Sequence, residues 1–376
     1  MDPKNAIKGG SFCPLPWTGF IMNPNGQIKN CVLAQEEIGN VNKKSIENIL
    51  SDDKNLEIKT NMLQHKKHNS CKGCHNLEQG TKGLNVRSDR YYYLRSLSAV
   101  PYSTYTLDNF ELNTIDMRWR NTCNLACVYC GPELSSTWAK EIDKPIIVDE
   151  EKINATKKYV LERAHNLKNV YLAGGEPLLL KENKELLDKL NKDCTIRINT
   201  NLSNLKGPVF KSASSFKNVH WTISVDTMQK EFEYIRYGAK WKDFIANLKI
   251  IKNLGHKISF NMLWLVLNPF SIFETIDYFR KEYEENAFII GPITSPSALD
   301  IRNCNNFVLD NIRSLLINRM VRSNKKYLLH NSYENMFKHI QIPFTKKPKQ
   351  TINFLDKLDS RRHLKYKNIF DITKYL

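Results

Sequence analysis

Seven of the nine cysteines in this 376-residue chain fall into two groups. Cys123-Asn-Leu-Ala-Cys127-Val-Tyr-Cys130 packs three thiols into eight residues, while Cys13, Cys31, Cys71 and Cys74 form a looser set nearer the start. Thiolates are soft ligands that suit iron–sulfur clusters and zinc. Three of them this close together can wrap one corner of a four-iron cube. With no fourth cysteine, one iron keeps an open position, which marks a reactive metal rather than a closed structural one. The competing reading is a zinc site, which needs a fourth ligand, and neither His nor Cys follows in the next dozen residues. In the second group, Cys71-Lys-Gly-Cys74 supplies two ligands, and Cys13 and Cys31 flank a turn that brings them together. Four thiolates suit a closed iron–sulfur cluster or a structural zinc. Cys74-His75 completes a c-type haem string, but both thiols have better partners in Cys13 and Cys31. Cys194 reads as a small buried residue and Cys304 as an ordinary thiol, its alternative being a hydrogen-atom donor at the active site.

Composition bounds what these groups can serve. A hydrophobic fraction of 41% and an aromatic fraction of 10% fit a folded globular chain. No apolar run approaches the roughly 20 residues of a membrane span. The start, Met1-Asp2-Pro3-Lys4-Asn5, lacks the basic and apolar regions of a secretory signal, so a cytoplasmic protein is expected. In that compartment thiols stay reduced, and clustered cysteines are metal-binding or catalytic by default. The formal charge is +17, and from Arg302 to Leu376 there are 16 Lys and Arg against 5 Asp and Glu. Such a surface attracts nucleic acid or acidic proteins. A solvated face is the preferred reading, because no Trp follows Trp264 and no stacking platform is evident.

Three regions follow from the pattern of elements. Residues 1–110 are loop-rich. Phe20-Ile21-Met22 and Ile28 around Asn25-Gly26 predict a hairpin, and residues 46–68 a polar helix. Residues 111–302 alternate apolar runs (115–119, 170–173, 195–198, 219–225, 258–266 and 287–290) with helix-like stretches (154–165, 181–191, 241–253 and 272–283). That alternation predicts an α/β fold, a partial (β/α)6 TIM-type barrel with its chemistry at the C-terminal strand ends. Residues 303–376 read as a basic, mainly helical extension without a further strand.

The triad follows the first of these strands, and Tyr171-Leu-Ala-Gly174-Gly175-Glu176-Pro177 follows the second. Glycines let backbone approach a ligand closely, exposed carbonyls can accept from an ammonium group, and Glu176 can add charge or hold the turn. Cys-x3-Cys-x2-Cys with Tyr129 before its last cysteine, together with Gly-Gly-Glu-Pro, resembles the radical S-adenosylmethionine (SAM) superfamily. The resemblance implies a [4Fe–4S] cluster on Cys123, Cys127 and Cys130 with SAM on the open iron, and SAM contacts from Tyr129, Gly174, Gly175, Glu176 and Pro177. It extends to Ser224 and Asp226 at the fourth strand end for the ribose or carboxylate, to Arg236 for the carboxylate, and to Asn199 and Asn201 after the third strand. It further implies reduction by a flavodoxin- or ferredoxin-type donor and homolysis of SAM to a 5′-deoxyadenosyl radical that abstracts hydrogen.

The early cysteines are similar to the truncated auxiliary-cluster module called twitch, half of the SPASM module, here placed before the barrel instead of after it. An auxiliary [4Fe–4S] or [2Fe–2S] cluster on Cys13, Cys31, Cys71 and Cys74 is what that similarity implies, with zinc as the alternative. Cys13-Pro-Leu-Pro-Trp17, Tyr234-Ile-Arg-Tyr-Gly238 and Leu358-Asp-Ser-Arg-Arg362 resemble the same twitch-containing group. Three functions fit: a radical enzyme acting on a peptide or small molecule, one modifying RNA or DNA, and a non-enzymatic iron–sulfur carrier or binding protein.

Overall fold

The computed structural model describes residues 10–79, 90, 93–94, 102–144 and 149–376. The first residues, on which the reading of the N-terminus rests, lie outside them. The described chain contains nine strands: β1 (Gly19–Met22), β2 (Gln27–Lys29), β3 (Gly39–Asn40), β4 (Thr114–Met117), β5 (Asn169–Leu172), β6 (Thr195–Thr200), β7 (Val219–Ser224), β8 (Lys257–Trp264) and β9 (Phe288–Pro292). Its longer helices are α1 (Ile46–Leu50), α2 (Asp53–Leu63), α3 (Lys72–Gln79), α4 (Ser136–Glu141), α5 (Glu150–Glu162), α6 (Lys181–Leu187), α7 (Pro208–Ser214), α8 (Gln229–Ile235), α9 (Trp241–Asn253), α10 (Ser271–Phe279), α11 (Asn306–Arg322), α12 (Leu328–Gln341) and α13 (Pro348–Arg362). The chain forms two compact units, one of Met1–Thr122, Ile146–Ile198 and Lys206–Val219, the other of Cys123–Pro145, Asn199–Leu205 and His220–Leu376.

In the first unit the strands run in the order β3-β2-β1-β4-β5-β6. The predicted hairpin is present, with Gly26 at φ 80° in its turn, where a residue with a Cβ would be strained. Its first strand does more than pair with β2. It lies parallel to β4, Gly19 opposite Thr114 and Met22 opposite Met117, so the N-terminal segment extends the sheet of the barrel region. All four residues of β1 are buried, as expected of a strand flanked on both edges. β4, β5 and β6 pair parallel in register, Asp116 beside Tyr171 and Tyr171 beside Arg197. Their alternate residues Ile115, Met117, Val170, Leu172, Ile196 and Ile198 are buried. The opposite face carries Asp116, Arg118, Tyr171 and Arg197, with Arg118 donating two hydrogen bonds to Asp116 (3.1 and 3.0 Å).

In the second unit β7, β8 and β9 are parallel, His220 opposite Lys257 and Phe260 opposite Phe288. Six strands, β4 to β9, thus alternate with helices along the chain, and the fold is the partial (β/α)6 type that the apolar runs imply. Helix starts follow ordinary capping chemistry. Ser135 accepts from the Trp138 N–H, Asp149 from Lys152 and Asn305 from Val308. Pro348 opens α13 at a position whose N–H needs no partner. Residues 303–376 form α11, α12, α13 and short turns, with no strand among the described residues.

One buried ion cluster in this unit sets an acid limit on the fold. Asp300 is fully buried and accepts from His339 Nε2 (3.1 Å) and from Arg302 Nε (3.0 Å). Burial alone would raise its pKa, yet the His339 and Arg302 hydrogen bonds hold it down at about 2. An unfolded aspartate titrates near 3.9. The stabilisation, on the order of 2 kcal/mol, is therefore complete above about pH 4 and lost as the pH falls toward 2. Asp300→Asn should remove it, lowering stability at neutral pH and flattening the acid limb of denaturation midpoint against pH. An unchanged acid limb would refute this assignment.

Candidate active site

The four early cysteines line a single cavity in the first unit, together with Met62 and Arg90. Cys13 and Cys31 flank the hairpin, while Cys71 and Cys74 enter from the turn that begins α3. Arg90 is fixed above them by hydrogen bonds to Glu78 and to the Phe12 carbonyl. Burial, and then repulsion from Cys31, pushes the Cys13 thiol well up, and burial with the Cys74 charge takes Cys71 to about 11. A set of four thiols, Cys74 buried and the others half-buried, that disfavour one another's ionisation is a donor set that needs a cationic group to hold it as thiolates. An iron–sulfur cluster or zinc fits that requirement by charge and softness. Among the described residues no three His, Cys, Asp or Glu side chains are gathered as a single metal ion would require.

The triad loop belongs to the second unit and is pinned peptide by peptide. The Cys123 N–H donates to Ser136 Oγ (3.1 Å), and its carbonyl accepts from Thr137 Oγ1 (2.7 Å). The Leu125 carbonyl accepts from Ser135 (2.6 Å) and the Cys127 carbonyl from Trp138 Nε1 (2.6 Å). On the other side the Ala126 and Val128 N–H groups donate to the carbonyls of Tyr237 and Ile235 (2.9 and 2.8 Å). Two short segments, the start of α4 and residues 235–237, therefore hold the loop between them. Burial raises the pKa of the Cys127 thiol against the opposing pull of Arg236, and takes that of Cys130 to about 12.

Asp226 lies just beyond β7. It caps no helix; it is fully buried, accepting from Tyr129 Oη (2.9 Å), the Leu263 N–H (2.8 Å) and Arg236 Nη2 (3.0 Å). Tyr129, Asp226 and Arg236 thus form one interior group. Arg236 is buried, and its Nε lacks a hydrogen-bond partner among the described residues, a donor left over for a further acceptor. Asn201 Nδ2 is 3.8 Å from Cys123 Sγ and 3.2 Å from Asn124 Oδ1, and Ser224 Oγ donates to Asn199 at 3.4 Å. Between Asn201 and Ser203, Leu202 holds a left-handed φ of 58°, its carbonyl tied to Asn247 (2.8 Å). Strain of this kind persists only where the surroundings impose it.

Gly174-Gly175-Glu176-Pro177 sits in the first unit against Thr122, the residue bonded to Cys123. The Glu176 N–H donates to the Thr122 carbonyl (2.7 Å), and Gly174 has φ 105°. Glu176 is fully buried and its carboxylate accepts from the Leu178 N–H (3.1 Å), so it holds the turn that Pro177 begins. The structure therefore gathers Cys123, Tyr129, Asn201, Ser224, Asp226 and Arg236 with the triad in one unit, and places the glycine motif on the carbonyl just before it. The spacing of the motifs did not disclose Ser136, Thr137 and Trp138, and Tyr237 lies in the Tyr234–Gly238 motif without a role read from the sequence. The run Ser135-Ser136-Thr137, a helix-start signal five residues after the triad, is the trace the first three leave in the sequence.

Residues 118–279 match the family profile of the Radical SAM superfamily, and residues 13–75 that of the SPASM iron-sulfur cluster-binding domain. A 7-carboxy-7-deazaguanine synthase of Clostridium acetobutylicum is 39% identical over 142 residues, covering 35% of this chain and 59% of the relative. Among solved structures, Streptococcus suis SuiB bound to its precursor peptide SuiA is 16% identical, with TM-score 0.41 over 75% of this chain and 68% of that one. AnSMEcpe with bound AdoMet is 17% identical, with TM-score 0.38 over 49% and 52%. The chain spans between half and three fifths of the synthase and of anSMEcpe. No helix among the described residues is long and apolar enough to cross a membrane.

Proposed function

The chain is a radical SAM protein with a SPASM-type iron–sulfur domain before its barrel, and on that premise we propose an enzyme that takes a hydrogen atom from a peptide or small-molecule substrate. A radical SAM domain implies a [4Fe–4S] cluster and SAM, whose reductive cleavage supplies a 5′-deoxyadenosyl radical, and a SPASM domain implies auxiliary iron–sulfur clusters. The observation that carries the reading is the triad loop: three thiols in eight residues, each neighbouring peptide tied to rigid structure, with a buried unpaired arginine donor in the same unit.

In this reading Cys123, Cys127 and Cys130 hold the catalytic cluster through thiolate sulfur. Gly174 and Gly175 keep the backbone beside Thr122 bare, so that main-chain groups can meet the SAM amine. Arg236 offers its free donor to the SAM carboxylate, while Asp226 orients it and neutralises its charge. Asn201 and Ser224 meet the ribose or carboxylate from the ends of β6 and β7. Cys13, Cys31, Cys71 and Cys74 hold the auxiliary cluster, and Asp116, Tyr171 and Arg197 on the polar sheet face are the side chains for a polar substrate. A small acidic one-electron carrier of the flavodoxin or ferredoxin type suits the basic chain, and a reducing cytoplasm suits nine free cysteines.

Anaerobically reconstituted protein given SAM and dithionite should release 5′-deoxyadenosine. Cys127→Ala should release none, whereas Cys13→Ala/Cys31→Ala should lose the auxiliary share of its iron and still form product. Fully loaded wild-type protein that yields no 5′-deoxyadenosine, with or without candidate peptides, would overturn the reading.

A further inference from the structure

The basic run that ends α13 is separated from the triad by more than two hundred residues, yet it contacts both segments that hold the triad loop. We propose that Arg362 is a positioning residue for the Cys123–Cys130 loop, gripping at once the two segments that hold the loop from either side. The inference rests on the reading that this loop carries the catalytic cluster.

The guanidinium of Arg362 lies over the ring of Trp138 at 5.0 Å and over that of Tyr237 at 4.5 Å. Its Nε is 3.1 Å from both carboxylate oxygens of Glu141. Trp138 and Glu141 are three residues apart on α4 and so share a face. Trp138 donates to the Cys127 carbonyl, and Tyr237 accepts from the Ala126 N–H. One buried side chain thereby joins the anchor of the Leu125–Ala126 peptide to the anchor of the Cys127–Val128 peptide. Arginine is suited to this because its flat cation can stack on rings while its edge pairs with a carboxylate. Arg361 adds a weaker contact, 5.3 Å over Trp138 and 3.7 Å from Glu141.

The neighbouring motif residues fix the clamp in place. Asp359 accepts from Tyr234 Oη (2.8 Å) and from the Tyr366 N–H (2.6 Å), and Leu358 is fully buried. Two sequence motifs, Tyr234–Gly238 and Leu358–Arg362, therefore meet twice, at Tyr234 with Asp359 and at Tyr237 with Arg362. Between these contacts Arg236 turns the other way, to Asp226. Residues that orient metal ligands without touching the metal commonly change its retention by 10- to 100-fold.

The test compares wild-type protein with Arg362→Gln, Arg362→Lys and Arg319→Gln, all reconstituted anaerobically. Arg319 pairs with Asp277 (2.9 Å) and lies 5.0 Å over Phe273, a similar arrangement that holds no part of the triad loop. The triad cluster is identified as the one whose electron paramagnetic resonance signal is missing from Cys127→Ala, its response to SAM is recorded, and its loss to an iron chelator is timed. Arg362→Gln should lose that cluster about 10-fold faster and broaden its signal. Arg362→Lys should fall between it and wild type, and Arg319→Gln should lower the thermal midpoint without altering signal or loss rate. Wild-type behaviour of Arg362→Gln, or equal effects of Arg319→Gln, would overturn the proposal. A wild-type cluster that SAM leaves unperturbed would instead sink the enzyme reading, while the chelator rates would still decide the clamp.

Discussion

Asp226→Ala should cost about 3–5 kcal/mol, the usual penalty for stripping one partner from a buried ion pair. Three donors converge on this carboxylate: Tyr129, the Leu263 N–H and Arg236. Removing it leaves the Arg236 cation buried without a counter-charge and two neutral donors without acceptors. Since whole domains are stable by only about 5–15 kcal/mol, the variant should show a sharply lower denaturation midpoint and poor yield. Asp226→Asn keeps much of the shape and part of the hydrogen bonding but not the charge, so its loss should be smaller. Urea denaturation of the three anaerobic preparations decides the matter. Equal midpoints would mean that the interior charge of Arg236 is balanced elsewhere.

Gly175→Ala should strip the protein of its catalytic cluster even where the chain still folds. A methyl group there would overlap the Thr122 carbonyl oxygen and lie 2.6 Å from its carbon and 2.8 Å from the Asn121 carbonyl carbon. These are backbone atoms, which cannot rotate away as a flexible side chain would. Relief requires moving the peptide that leads into Cys123, and with it the acceptor of the Glu176 N–H. Overpacking commonly costs about 1–3 kcal/mol, and more when backbone must shift. Gly207→Ala is the control, because its nearest neighbour would be 3.5 Å away. The measurement is iron per chain after reconstitution, alongside thermal stability. Iron content in Gly175→Ala equal to that of Gly207→Ala would refute the argument.

Much of this was legible before any coordinates. Each run from 115–119 to 287–290 corresponds to a strand within a few residues, because each strand turns at least one face of apolar side chains into the core. The triad and the glycine motif were legible because ligand spacing is local. What stayed hidden is non-local or short. Nothing in Gly19-Phe20-Ile21-Met22 indicates that it pairs with Thr114–Met117, since strand partners far apart share no periodicity. Helix α4, at six residues, is too short to show an amphipathic period, yet it supplies three of the loop's anchors. Asp226 before α8 reads as readily as a cap; only the packing reveals a buried acceptor.

The parallel pairing of β1 with β4 also orders events during synthesis. Roughly 90 residues separate the two strands, and at 5–20 residues per second β1 waits about 5–18 s for its partner. Cys71 and Cys74 emerge well within that interval, so all four early thiols leave the ribosome before the strand that completes the sheet around them. A chain still being made thus presents its complete cysteine quartet while β1 has only β2 to pair with.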